Sequence, residues 1–465
     1  MKNKKIFSIL AISILAILLL VVYFSNNNSS KDNSNVNSTS NVSSNANSSI
    51  GSNSSSFNKN INITVDQLFN EDDEIIYDGI KYKFNNNEFS VIGYEGEIVD
   101  VTIISSINEY LVTSIGKDAF YGCTSLISIT LPNTIENIGD NAFVVCSSLT
   151  YNEYENGRYL GNEENPYLAL MDTMTNDFTS FKISDNTKII GYSAFWRCSS
   201  LKSVVIPEGV ISIGLSAFMD CSVLTNITLP STLTSIGGYV FSNCSSLTSI
   251  DLPSALASIG NLAFAGCDNL TSIIIPEGIE SIGVDTFRGC SNLTSIEVNE
   301  NNEYYKSIDG NLYSKDGKEF IQYAIGKKNK EFIVPAGVTI IGNHSFQYCS
   351  SLTCVPLPAT LTSIGDSAFA GCDNLTSIVI PKGVGSIGDA AFNDCASLTS
   401  IVIPAGVTSI GRSVFWGCST LTIYCEVSSK PEVWAEYWNS DWDSYRPVYW
   451  AGEWEYVDGV PTHIE

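Results

Sequence analysis

The hydrophobic positions of this chain fall into a short pattern that repeats. Leu-Thr-Ser-Ile-x-Ile-Pro occurs at Leu270 to Pro276, Leu375 to Pro381 and Leu398 to Pro404. It predicts a brief β-strand in which Leu270, Ile273 and Ile275 face the core, while Thr271, Ser272 and Ile274 face outward. Pro276 ends that strand because it has no N–H to give to a ladder. Glu277-Gly278 makes a turn, Ile279 and Ile282 return to the core, and Gly283 opens a short helical piece that buries Phe287 and Cys290.

The whole unit then recurs. Ile-Gly-x-x-Ala-Phe-x-x-Cys returns with Cys198, Cys221, Cys244, Cys267 and Cys290 spaced 23 residues apart. Cys349, Cys372, Cys395 and Cys418 keep that spacing in a second phase, and Cys123 and Cys146 open the series. A fixed period of this length predicts a solenoid, each repeat being one coil stacked on its neighbours. Seven or so apolar side chains per coil contribute roughly 10–20 kcal/mol. Ordering the 23 residues of a coil, at about 1–2 kcal/mol each, costs more. A lone coil therefore does not fold; stacking supplies the ladder hydrogen bonds and closes the core.

Two gaps break the phase. Cys146 to Cys198 is 52 residues and Cys290 to Cys349 is 59, so extra chain enters near 151–175 and 300–328. Tyr159-Leu160-Gly161 with Tyr167 to Leu170 predicts a hairpin, as does Asn311 to Ser314 between Asp309-Gly310 and Asp316-Gly317. Such insertions are expected to emerge as loops on one face, and a functional and a decorative role are both open for them. Ile80 to Phe84 and Phe89 to Ile92, around Asn85-Asn86-Asn87, predict another hairpin within a β cap over 61–112. The solenoid proper spans 113–425. Residues 426–465 then carry Trp434, Trp438, Trp442, Trp450 and Trp454, five of the seven tryptophans. That cluster reads as a plug over the open end of the core, with stacking on a sugar or a partner as the alternative.

At the other end, Lys2, Lys4 and Lys5 precede an apolar run of 19 residues from Ile6 to Phe24, about enough to cross a bilayer as a helix. Residues 1–24 predict a signal-anchor that leaves the repeats outside the membrane, with a cleaved signal peptide as the alternative. Residues 25–60, almost all Asn and Ser, predict a disordered stalk spanning roughly 30–35 Å.

Charge and chemistry narrow the function. The chain has 24 Lys and Arg against 49 Asp and Glu, a net charge of −25. That balance argues against nucleic acid and anionic lipid headgroups as partners, so the only membrane contact expected is through the N-terminal helix. Eleven of the thirteen cysteines hold one repeat position beside Phe, where a small buried side chain fits. Their nearly parallel Cβ vectors suit a bridge poorly, so free buried thiols are expected. His344 and His463 are the only histidines, and neither has a triad context. His344 is placed on an outer turn, exposed to solvent. His344, Cys349 and Cys354 do not form a metal set, since Cys349 belongs to the buried row and Cys354 to the outer face. No catalytic residue, metal or cofactor is expected.

What remains is surface. The fifth position of the outer strand face reads Thr130, Val205, Thr228, Asp251, Ile274, Glu297, Pro356, Val379 and Val402. The less regular run Val205, Thr228, Asp251, Ile274 and Glu297 is the expected ligand-binding patch. Taken whole, Leu-Thr-Ser-Ile-x-Ile-Pro-x-x-Val-x-Ser-Ile-Gly-x-x-Ala-Phe-x-x-Cys resembles the BspA-like leucine-rich repeats, over residues 61 to about 450. Eleven Ile-Gly pairs precede eleven phased Phe residues. The resemblance implies a curved leucine-rich-repeat solenoid with strands on its concave side and no shared catalytic set. It also implies display on a cell surface and adhesion to host, neighbouring-cell or extracellular-matrix proteins. The Trp-rich end argues for a monomer. The expected function is a membrane-tethered, adhesin-like binding protein. A structural surface protein without a specific ligand is the alternative, and a glycan-active enzyme ranks third.

Overall fold

In the computed structural model, residues 60–61, 69–440 and 445–464 are described. The expected anchor at 1–24, all but the last residue of the expected stalk at 25–60, and Trp442 lie outside the described residues. The repeats wind into a β-solenoid of about 16 turns, and no helix occurs among the described residues.

Each coil has three sides, and each side stacks on its counterpart in the next coil. On the first side the Leu-Thr-Ser-Ile-x-Ile-Pro segments pair in parallel. Ser203–Val205 lies between Ser180–Lys182 and Asn226–Thr228, and Ser272–Ile275 pairs with Ser295–Val298. Inside and outside alternate as the pleat requires: Ile273 and Ile275 are buried, Ser272 and Ile274 exposed. On the second side the residues around each Ile-Gly form a ladder of very short parallel strands, running without a break through Ile189–Ile190, Ser212–Ile213, Ser235–Ile236, Ser258–Ile259 and Ser281–Ile282. The register is one full coil, so Ile213, Ile236, Ile259 and Ile282 stack on one another. The glycine after each of these strands lets successive backbones touch; a Cβ on Gly260 would lie 2.4 Å from Gly238 N.

The third side corrects the expectation of a short helical piece. After Gly191 alternate residues bond in different directions. Ser193, Phe195 and Arg197 donate their N–H to the next coil, at Leu215, Ala217 and Met219, over 3.0, 2.7 and 2.9 Å. Ala194, Trp196 and Cys198 instead donate back within the coil, to Gly191, Ser193 and Phe195. Left-handed residues at Ser193 (φ 55°) and Arg197 (φ 59°) turn every second N–H along the stack. A helix would keep those hydrogen bonds inside one coil and leave the neighbouring coil without partners.

Both insertions are built into the core rather than looped out of it. Asn152–Tyr154, Gly157–Leu160 and Ala169–Thr173 form an antiparallel meander whose last strand starts the Ile-Gly ladder by pairing in parallel with Ile189–Ile190. Tyr305–Ile308, Asn311–Ser314 and Glu319–Gln322 do the same, the last pairing with Ile340–Ile341. Tyr159, Leu170, Leu312, Tyr313 and Phe320 are fully buried. Near the start, Ile80–Asn85 and Glu88–Tyr94 pair antiparallel through left-handed Asn86 and Asn87, and Glu88–Tyr94 then runs parallel to Tyr110–Ile115.

The core is a column of phenylalanines in three segments, divided at the two insertions. Phe195 to Phe287 stack face to face with centroids 4.7–5.9 Å apart, and Phe320 to Phe415 repeat the arrangement at 4.5–5.8 Å. Beyond Phe415 the column meets the edge of Trp438 at 6.0 Å, and Trp434 donates Nε1–H to Val407 O over 3.2 Å. Both indoles are buried. The third-side ladder continues into this segment, with Val414 N–H donating to Trp438 O.

Candidate functional site

The outward positions of the first-side strands line up as one exposed face. Val205 faces Thr228 in register and Ile274 faces Glu297. Asp251 lies between the two pairs, on a segment that makes no strand pairing. The five expected contact residues are all exposed and share one face, but the ladder beneath them is open at Asp251. A shallow hollow of about 360 Å³ marks the opening, with Asp251, Ile274, Glu277 and Asn299 on its walls. Glu297 turns to its own strand and accepts from Ser295 Oγ at 2.5 Å.

A second stretch of the same face is more apolar, and only part of it shows in the repeat pattern of the sequence. Ile333, Pro356, Val379 and Val402 occupy the outward position of successive coils, and the row ends at Tyr424, in register with Val402 but buried against Tyr449 and Trp454. Parallel bridges Glu331 to Cys354 and Cys354 to Ser377 hold the first three coils together. Ile333 is 66% exposed and Val379 80%. Ile333 escapes the Leu-Thr-Ser-Ile template because the frame resumes after the insertion as Phe332-Ile333-Val334-Pro335; the proline is the signal that could have placed it. The threonines beside this row serve the backbone. Thr353 and Thr376 donate their hydroxyls to the carbonyl oxygens of Lys330 and Thr353, one coil back, over 3.0–3.1 Å, as Thr294 does to Thr271 O in the first stretch.

On the second side the Ile-Gly ladder is interrupted at both insertions, the second time between Ser281–Ile282 and Glu319–Gln322. A cleft of about 630 Å³ opens there, lined by Asp285, Glu319, Asp366 and Asp389 among others. Two of these carboxylates are committed to structure. Asp366 Oδ1 accepts the Asp389 N–H and Asp389 Oδ1 accepts the Arg412 N–H, each over 2.7 Å. Burial pushes the Glu319 carboxyl up from its ordinary value, with Asp316 adding to the effect.

His344 is not the solvent-exposed residue expected. Its side chain is largely buried, with Nδ1 3.1 Å from Asp285 Oδ1, a close approach without hydrogen-bond alignment. Burial raises the Asp285 carboxyl, and His344 and Arg288 pull it back. Arg288 donates Nη2–H to the Tyr348 hydroxyl over 2.9 Å and lies over the same ring. The two contacts staple coils on either side of the second insertion. No cluster of His, Cys, Asp and Glu among the described residues is arranged to hold a metal.

All thirteen cysteines are free thiols. The phased ones do more than fill space: Cys221, Cys244, Cys267 and Cys290 donate S–H to the carbonyls of Phe195, Phe218, Phe241 and Phe264, one coil back, over 3.1–3.2 Å. Burial pushes these thiols up, Cys290 to about 12, so they are poor nucleophiles. Cys354 alone is partly exposed.

Compared with protein families, residues 100–163, 173–294 and 322–432 match the BspA type leucine rich repeat region, in six copies. The chain belongs to the BspA-type leucine-rich repeat family. Among solved structures this BspA-type chain is similar to a leucine-rich repeat protein from Eubacterium ventriosum, at 27% identity and TM-score 0.51 over 57% of this chain and 74% of that one. It is also similar to a leucine rich cell surface protein from Faecalibacterium prausnitzii, at 27% identity and TM-score 0.39 over 78% of this chain and 96% of that one. The pneumococcal vaccine antigen PcpA matches at 22% identity and TM-score 0.46, over 82% of this chain and 88% of that one. None of the curated proteins compared matches. No helix among the described residues is long and apolar enough to cross a membrane. BspA-type coils thus present a long repeated face suited to protein contact.

Proposed function

We propose that the chain is a surface-displayed binding protein that holds a protein partner against its outward strand face, as an adhesin does. One observation carries the reading: large aliphatic side chains stand in water at one fixed position of the ladder. Val205 and Ile274 are each 64% exposed, Ile333 66% and Val379 80%. Covering one such side chain fully is worth about 1.5–3 kcal/mol, and a row of them across several coils suits an extended partner.

The partner proposed is a protein of a host cell, a neighbouring cell or the extracellular matrix; the net charge of −25 disfavours nucleic acid. The apolar run at 6–24 is proposed as the membrane tether and 25–60 as the stalk that extends the solenoid from it. No chemical step is part of this function.

Beads coated with residues 61–465 test it, compared with beads carrying the heat-unfolded protein on cell, matrix and envelope preparations. Folded beads are expected to adhere, and the double substitution Ile333→Glu with Val379→Glu is expected to cut adhesion at least tenfold, a loss of about 1.4 kcal/mol. Both side chains point to water, so the melting temperature should hold. Adhesion no better than the unfolded control overturns the reading.

A further inference from the structure

The insertion at 300–328 holds a lysine against a buried amide. Asn311 is fully buried, and its Oδ1 accepts from Ala324 N–H at 3.0 Å and from Lys327 Nζ at 3.1 Å. Its Nδ2 is also buried and has no acceptor. Turning the amide over gives no relief, because both groups that face Oδ1 are donors. Asn302, the other fully buried asparagine here, shows what a structural amide looks like in this setting. Its Nδ2 donates to Pro276 O and Ile279 O, and its Oδ1 accepts from Tyr304 and Tyr305 N–H. An orphaned buried donor, beside an amine that touches the same amide, asks for a chemical reason.

The geometry points to an intramolecular isopeptide bond between Lys327 and Asn311, a covalent clamp across the second insertion. The Lys327 Nζ lone pair attacks Asn311 Cγ, the atom bonded to the Oδ1 it already contacts. A C–N bond forms, the Cγ–Nδ2 bond breaks, and Nδ2 leaves as ammonia with the proton that Nζ gives up. The step exchanges one amide for another and consumes no oxidant or reductant.

The surroundings suit it. The Lys327 ammonium lies 5.6 Å from the centre of the Tyr323 ring and donates to the Asp309 carbonyl. Burial lowers its pKa from the ordinary lysine value, the carboxylates of Asp309 and Glu297 opposing the shift; the neutral amine is the nucleophile. The product removes a half-buried charge and the orphaned donor together. Lys315, in the same insertion, reaches only the backbone carbonyls of Glu300 and Asn302 and has no such electrophile. The bond joins residues 16 apart and ties the strand Asn311–Ser314 to the segment after Glu319–Gln322, where the core divides.

Intact-mass spectrometry of the purified full chain, denatured, is the test. The expected mass is about 17 Da below that of the sequence, the loss of one ammonia. After trypsin, the peptide 307–315 should remain joined to 319–328, with no cleavage after Lys327. Succinimide formation at Asn156-Gly157 would also remove ammonia, so Lys327→Arg is the control, since a guanidinium does not lose its proton to become a nucleophile. Lys327→Arg and Asn311→Ala should each return the full sequence mass and the separate peptides. A full-mass wild-type chain, or a 17-Da loss that persists in Lys327→Arg without the joined peptide in the wild type, overturns the proposal.

Discussion

Left-handed backbone recurs at fixed residues of the coil, and side-chain choice follows it. The residue before each phased cysteine has a positive φ, and five of these are Gly122, Gly266, Gly289, Gly371 and Gly417. Asp220, Asn243 and Asp394 are the next best tolerated types there. Val145 is the misfit: a β-branched residue at φ 64°, 56% exposed and so giving up little packing if removed. Val145→Gly is expected to stabilise the fold by about 0.5–1 kcal/mol, the relief of left-handed strain less the entropy a glycine loses. Urea unfolding checks this, and a lower midpoint would contradict the assigned backbone. The motif's Gly or Asp before Cys is visible in the sequence, but its reason is not, because φ is set by the inter-coil hydrogen bonds.

At the scale of the element, strand orientation was legible and turn conformation was not. The strand Ser272–Ile275 is long enough to show alternation, so Ile273 and Ile275 can be placed inside from the sequence. Ser281–Ile282 is too short to carry a period, and its ladder appears only when identical coils stack. The difference in burial predicts a difference in stability. Phe264 is fully buried between Phe241 at 5.4 Å and Phe287 at 5.9 Å, whereas Thr271 faces water. Phe264→Ala should cost about 3–5 kcal/mol and Thr271→Ala almost nothing. Equal losses in a denaturant melt would refute the inward and outward assignment.

Across the whole molecule the thiol row makes stability depend on alkaline pH. Burial raises Cys146 and Cys198 to about 11 and Cys372 and Cys425 to about 12, from a model-compound value of 9.0. Between those limits the unfolded chain has shed protons that the folded chain retains. Stability is therefore full below pH 9 and falls as pH rises, by about 1.4 kcal/mol per unit for each such thiol. Buried tyrosines such as Tyr159, raised to about 12 from 10.0, add to the fall only above pH 10. The urea midpoint should drop steeply from pH 9 to 10, and Cys372→Ala should lessen that slope. A midpoint flat over this range would mean the thiols are not buried in the folded state.

The sequence by itself determined the repeat, the family, the column of phenylalanines and the faces of the strands long enough to alternate. These follow from a period of 23 and from solvent exclusion, which act on every coil alike. Only the tertiary structure decided where the repetition fails. The apolar row through Ile333 and Val379, the meanders that replace expected loops, the Asp285–His344 contact and the Lys327–Asn311 approach all lie at or beside an insertion. There the partners of a residue are no longer one coil away in sequence, and contact is set by how the interrupted ladders close.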